Sequence, residues 1–113
     1  MHEISLMQSA LTTAERAAAE AGASRIESIT LRIGALSGVV RDALEFAFEV
    51  LKADTLASGA ELKIEEVPVR CRCADCGTEF EPQGMIFECP NCGALSSQVL
   101  RGREIDLVSM EVV

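Results

Sequence analysis

The chain has 113 residues and a formal net charge of −8 at pH 7; 49% of its side chains are apolar, with no Trp, no Tyr and four Phe. That length fits one domain, or one domain carrying a small module, and its core must be aliphatic. The acidic balance repels polyanions, which argues against nucleic acid or an anionic membrane as a partner.

No apolar run approaches the eighteen or so residues that suggest a membrane span. The N-terminus lacks the basic, apolar, small-residue progression of a signal peptide. A soluble, cytoplasmic protein that starts at its own Met1 is therefore expected.

From Glu3 to Ala21, the apolar residues Ile4, Met7, Leu11, Ala14, Ala18 and Ala21 recur at steps of three and four. This spacing predicts one face of a helix, and Gly22 is a natural stop. Ile29, Leu31 and Ile33 then alternate with Thr30 and Arg32, as in a strand with one buried face that ends at Gly34. A second helical stripe follows at Leu44, Ala47, Phe48 and Leu51, with Asp42 well placed near its positive end. Leu62, Ile64 and Val67 begin a second strand, limited by Pro68. A last strand is predicted near Glu104–Val112.

The expected fold class is α+β: two helices on a three-stranded β-sheet, with an inserted four-cysteine, zinc-ribbon-like module. The main domain would comprise residues 1–69 plus 102–113, and the module residues 70–101. Both ends of the module would leave adjacent strands of the sheet.

All five cysteines fall between positions 71 and 92. Four of them form two pairs, Cys73-Ala74-Asp75-Cys76-Gly77 and Cys89-Pro90-Asn91-Cys92-Gly93. Two residues between paired cysteines let both thiolates face one point, and the following Gly permits positive φ. Two such turns offer four sulfurs in a tetrahedron, which suits zinc. Cys73, Cys76, Cys89 and Cys92 would fill every coordination position, so the site would be structural rather than catalytic. Two disulfides, a redox CxxC or a four-thiolate iron centre are the competing readings. Cys71 is left over, as a free thiol, a substitute ligand or an ordinary strand residue.

The sole histidine is His2. A metal bound there can also take the α-amine of Met1 and the His2 backbone amide, with the imidazole closing a second chelate ring. Three nitrogens in one plane suit Ni(II) or Cu(II) and do not suit tetrahedral zinc. Glu3 could add its amide or carboxylate, or orient the imidazole. On chemistry alone, a solvated terminal histidine is the simpler account.

The opening Met1-His2-Glu3-Ile4-Ser5-Leu6, the Leu31-Arg32-Ile33-Gly34 strand end, the two CxxCG pairs and the final strand from Gly102 to Val112 change that balance. Together, over essentially the whole chain, they resemble the HypA/HybF family of nickel metallochaperones in NiFe-hydrogenase maturation. The resemblance implies Ni(II) as cargo at Met1, His2 and Glu3, and Zn(II) as a structural ion. It implies two partners: the nickel-handling GTPase of that pathway and the hydrogenase large subunit. Some members place an acidic residue in the loop after the first strand. Here that stretch is Val39-Val40-Arg41, and Asp42, just beyond, is a candidate contributor. Some members also carry a His in the zinc module, which this chain lacks.

A zinc-ribbon nucleic-acid-binding or regulatory protein is the alternative. It is disfavoured because residues 70–103 hold four acidic and four basic side chains and form no basic stripe. No enzyme is expected, since a Ser–His pair, a phosphate-binding Gly loop and an open zinc position are all lacking. A monomer or weak dimer is expected.

Overall fold

The computed structural model describes residues 2–84 and 86–113. Its elements run in the order α1 (Glu3–Glu20), β1 (Ile26–Gly34), α2 (Arg41–Leu51), β2 (Glu61–Val67), β3 (Arg70–Cys73), β4 (Glu79–Phe80), β5 (Ser97–Arg101) and β6 (Ile105–Val112). Two three-stranded sheets form, ordered β2-β1-β6 and β4-β3-β5. This is the expected α+β class, two helices with a three-stranded sheet and a small inserted module bearing the cysteines.

The helical stripe of α1 buries Met7, Leu11, Ala14 and Ala18. Ile4 and Ala21, at the ends of the same stripe, are exposed. Periodicity identifies a face but does not say how far along the helix its cover extends. Helix α1 stops where expected: the Gly22 and Ala23 N–H groups donate back to the Ala19 and Ala18 carbonyls, and Gly22 takes φ +73°. This is the left-handed closure that glycine adopts without a Cβ penalty. Helix α2 contributes Leu44, Ala47 and Phe48, and β1 contributes Ile26, Ile29, Leu31 and Ile33. Burying a Leu, Ile or Phe side chain stabilises by about 1.5–3 kcal/mol each, so this aliphatic set dominates the fold's stability.

Arg25 and Val113 exchange both backbone hydrogen bonds, and the Gly34 N–H donates to the Glu104 carbonyl. The two contacts share one antiparallel register for β1 and β6. Against residues 56–67, which include β2, the contacts of residues 26–35 advance in the same direction: Ile26 with Leu56, Arg32 with Glu65, Ala35 with Val67. Strands β1 and β2 therefore run parallel, joined by a crossover through α2.

The expectation that the module leaves two adjacent strands is overturned. Strands β2 and β6 flank β1 and are not paired with each other, although the Lys63 ammonium reaches across to the Glu111 carboxylate at 3.2 Å. The physical reason is composition. Strand β1 buries most of its residues and takes the centre, whereas β2 and β6 bury none fully and take the edges.

The chain divides into two compact units. The first holds the residues up to Arg32, Gly38–Glu65 and Asp106–Val113; the second holds Ile33–Ser37 and Glu66–Ile105. Within the second unit, residues 34–36 are bonded to both neighbouring segments: the Ala35 N–H donates to Val67 and the Leu36 N–H to Gly102 at 2.6 Å. Gly34 is required there, because a Cβ would overlap the Gly102 carbonyl. Among the described residues, no helix is long and apolar enough to cross a membrane.

Candidate metal sites

Strand β3 delivers Cys73 to the start of a tight turn. The Gly77 N–H donates to the Cys73 carbonyl at 3.0 Å, and the Cys73 N–H donates to the Thr78 carbonyl at 2.9 Å. The second pair repeats the pattern: the Gly93 N–H donates to Cys89 and the Cys89 N–H to Ala94, both at 2.9 Å. Gly77 and Gly93 sit at φ +77° and +75°, which a side chain rarely adopts. Their role is conformational. A Cβ at Gly77 would meet nothing within 4 Å, and one at Gly93 would meet only Glu88 at 3.7 Å.

Each turn presents one buried sulfur (Cys73, Cys89) and one exposed sulfur (Cys76, Cys92). The turns interlock crosswise, with Cys73 Sγ 3.5 Å from Cys92 Sγ and Cys76 Sγ 3.6 Å from Cys89 Sγ. All four ligand atoms lie within 4.8 Å of one another. A tetrahedral ion with metal–sulfur bonds of about 2.3 Å requires sulfurs roughly 3.8 Å apart, so the donor set fits such a metal. Among the described residues this is the only cluster of three or more potential ligands.

The thiols are already unequal. Hydrogen bonds from the Thr78 hydroxyl, the Asn91 amide and the Thr78 backbone lower Cys76 to about 6. At Cys92 the Ala94 backbone N–H favours the thiolate. The crowding of Cys73, burial, Cys76 and Cys89 outweighs it and pushes this thiol up to about 12. Four sulfurs packed this closely cannot all ionise without a cation among them, so metal binding would release protons.

Cys71 takes no part in this cluster. It is fully buried on β3, paired with Phe80 and Val99, and packs in a small core with Cys73, Phe80 and Cys89. It acts as a small apolar side chain. Ile86 and Leu95 are exposed, so that core is very small.

At the other end of the chain, His2 is exposed and forms the N-cap of α1 in an extended conformation, with no side-chain cap bond. Its carbonyl accepts the Leu6 N–H at 3.1 Å. The amide nitrogens of His2 and Glu3 belong to the first four of the helix, which have no intrahelical acceptor. The Glu3 carboxylate accepts the Val40 N–H at 3.1 Å. That bond, first among its causes, holds the carboxyl below its ordinary range. Met1, the third residue of the expected nickel site, lies outside the described residues. Asp42 is exposed in the first turn of α2 and, among the described residues, joins no cluster of three or more potential ligands. The Glu3–Val40 link went unforeseen, because nothing in local sequence connects residues thirty-seven apart.

The family model for hydrogenase/urease nickel incorporation metallochaperones, HypA, matches residues 1–112. The chain belongs to the HypA family. A hydrogenase maturation factor HypA from Picosynechococcus sp. is 47% identical over 113 residues, the whole of both chains. One from Chloroflexus aurantiacus is 48% identical over 112 residues, 98% of each chain. Among solved structures, the Ni metallochaperone HypA from Helicobacter pylori matches with a TM-score of 0.71 at 29% identity, over 100% of this chain and 98% of that one. A second HypA solution structure gives a TM-score of 0.76 at 28% identity, covering 100% and 97%. HypA proteins are metallochaperones and maturation factors rather than enzymes, and this chain shares that role class.

Proposed function

We propose that this chain carries Ni(II) as cargo at its N-terminus and delivers it to the NiFe-hydrogenase large subunit in the cytoplasm. Delivery would act in concert with the nickel-handling GTPase of that pathway. The Met1 α-amine, the His2 amide and the His2 imidazole supply three nitrogens in a plane, a set suited to Ni(II). Glu3 completes the site through its amide or carboxylate, or by orienting the imidazole. The observation that carries this reading is the start of α1. Helix formation begins at Glu3, so His2 stands exposed beside amides that the helix leaves without acceptors.

Cys73, Cys76, Cys89 and Cys92 hold Zn(II) in this reading, as a structural ion in a module of residues 70–101. Residues 1–69 and 102–113 form the nickel-binding domain. The zinc shell is complete in protein sulfur, which leaves no position for cargo. Structural zinc supplies about 10–16 kcal/mol in small modules, enough to order one with so few buried apolar residues. A carrier must also release its metal. Few donors at a chain terminus suit release, and the amine and imidazole lose nickel as protons compete for them.

Metal analysis and nickel titration of protein with an intact Met1 test the proposal. One zinc retained and one nickel added per chain are expected. His2→Ala should lose the nickel and keep the zinc; nickel bound equally well by that variant would move the cargo site elsewhere.

A further inference from the structure

Helix α2 begins without a cap of its own. Val40 is its N-cap residue, and a valine side chain offers no acceptor. In an ordinary capping box, an acidic side chain at the third helical position reaches back to the N-cap N–H. That position is Ala43 in α2, so no such side chain is available there.

The missing partner comes from the other helix. Glu3 Oε2 accepts the Val40 N–H at 3.1 Å, the same bond a capping box makes. Glu3 is the first residue of α1 and directly follows His2. One side chain thus joins the first residue of α1 to the cap of α2, and both lie in the first compact unit.

We propose that the Glu3 carboxylate is a positioning group rather than a metal ligand: by capping α2 from outside, it fixes where His2 stands, while nitrogen atoms hold the nickel. The inference rests on the proposed nickel function and refines it. A carboxylate oxygen bonded to Val40 is committed to the fold, whereas the Glu3 amide nitrogen remains at the open end of α1. The loop before α2 therefore belongs to the nickel site through its backbone, although Val39 and Val40 have no ligating side chain.

Glu3→Gln and Glu3→Ala separate the two roles, because Gln keeps an acceptor oxygen but is a poor nickel ligand. Two readouts apply: amide hydrogen exchange at Val40 in nickel-free, zinc-loaded protein, and titration with Ni(II) followed by its d–d absorption. Glu3→Ala should speed Val40 exchange and weaken nickel binding, each about tenfold, as losses of an orienting partner do. Glu3→Gln should stay within about twofold of the parent on both readouts, with an unchanged absorption band, because its oxygen restores the bond. Unchanged Val40 exchange in Glu3→Ala would overturn the capping role. Loss of nickel affinity in Glu3→Gln as large as in Glu3→Ala would overturn the positioning role and make the carboxylate a ligand. Failure of the parent protein to bind nickel would overturn the function itself, and the positioning role with it; the first two results leave the function standing.

Discussion

The cysteine cluster and the N-terminus pose opposite problems in metal chemistry, and the chain answers them with opposite local structure. In the cluster, two turns with the same hydrogen-bond pattern aim four sulfurs at one point, and two of the sulfurs are buried. Every donor comes from the protein, so a metal held there has no open position. At the N-terminus, a single exposed histidine precedes a helix whose first amides have no acceptor within the helix, and a side-chain bond from Glu3 ties that end to α2. The first arrangement favours retention and the second exchange. A chain that carries both can keep one metal for its fold and pass on another.

The sharpest way to break this contrast is to open the closed site. If the four cysteines hold zinc as proposed, Cys73→Ser or chelation should unfold the proposed module of residues 70–101 by removing about 10 kcal/mol of metal-derived stability. In a ¹⁵N correlation spectrum, resonances of that module should collapse while those of α1 and α2 stay dispersed. A module that kept its dispersion would show that its small core folds without metal.

The next effect concerns the path of the chain between its segments. Gly34→Ala places a methyl group into the Gly102 carbonyl. Overpacking against backbone should cost about 3 kcal/mol, read as a lower midpoint in urea. Gly77→Ala, where a Cβ meets open space, should cost only the strain of its positive φ, about 1 kcal/mol. Equal losses would mean that the close approach at Gly34 does not matter.

His2→Ala should lower nickel affinity at least about a hundredfold, or roughly 2.7 kcal/mol, and leave the thermal unfolding of zinc-loaded protein unchanged. Isothermal titration against a melting curve checks both halves. The smallest effect belongs to Glu79, whose carboxyl is lowered chiefly by a hydrogen bond from Arg72. A lowered carboxyl adds stability above its unfolded value, about 4.3, and loses it as pH falls through the folded value. Glu79→Gln should therefore lower stability slightly at neutrality, and the difference from the parent should shrink as pH falls through that range; the effect is small because both partners are well exposed. Unfolding midpoints of the two proteins compared at pH 7 and pH 3.5 reveal the change.

The sequence was most legible where structure is local. The CxxCG spacing determines turn, glycine conformation and sulfur direction within five residues, so the cysteine cluster could be read directly. Periodicity found Met7, Leu11, Ala14 and Ala18, and likewise Ile29, Leu31 and Ile33, because the core imposes its repeat on each element. Features that join distant segments were not legible. The central place of β1 depends on which strand buries most surface, and the need for glycine at position 34 on a carbonyl sixty-eight residues away. The Glu3–Val40 bond is of the same kind: its donor is a backbone group, and backbone groups leave no mark on sequence. Cys71 shows the converse: spacing left it open as a free thiol, a substitute ligand or an ordinary strand residue, and its full burial on β3 decides for the last.

The central claim is that cargo and structural metal occupy separate sites at opposite kinds of local structure. Adding one residue before Met1 tests it most directly, because this moves the α-amine without touching any cysteine. Metal analysis after nickel titration should then find one zinc and no tightly bound nickel per chain, against one of each in the parent. Nickel bound with unchanged affinity to the extended chain would contradict the account.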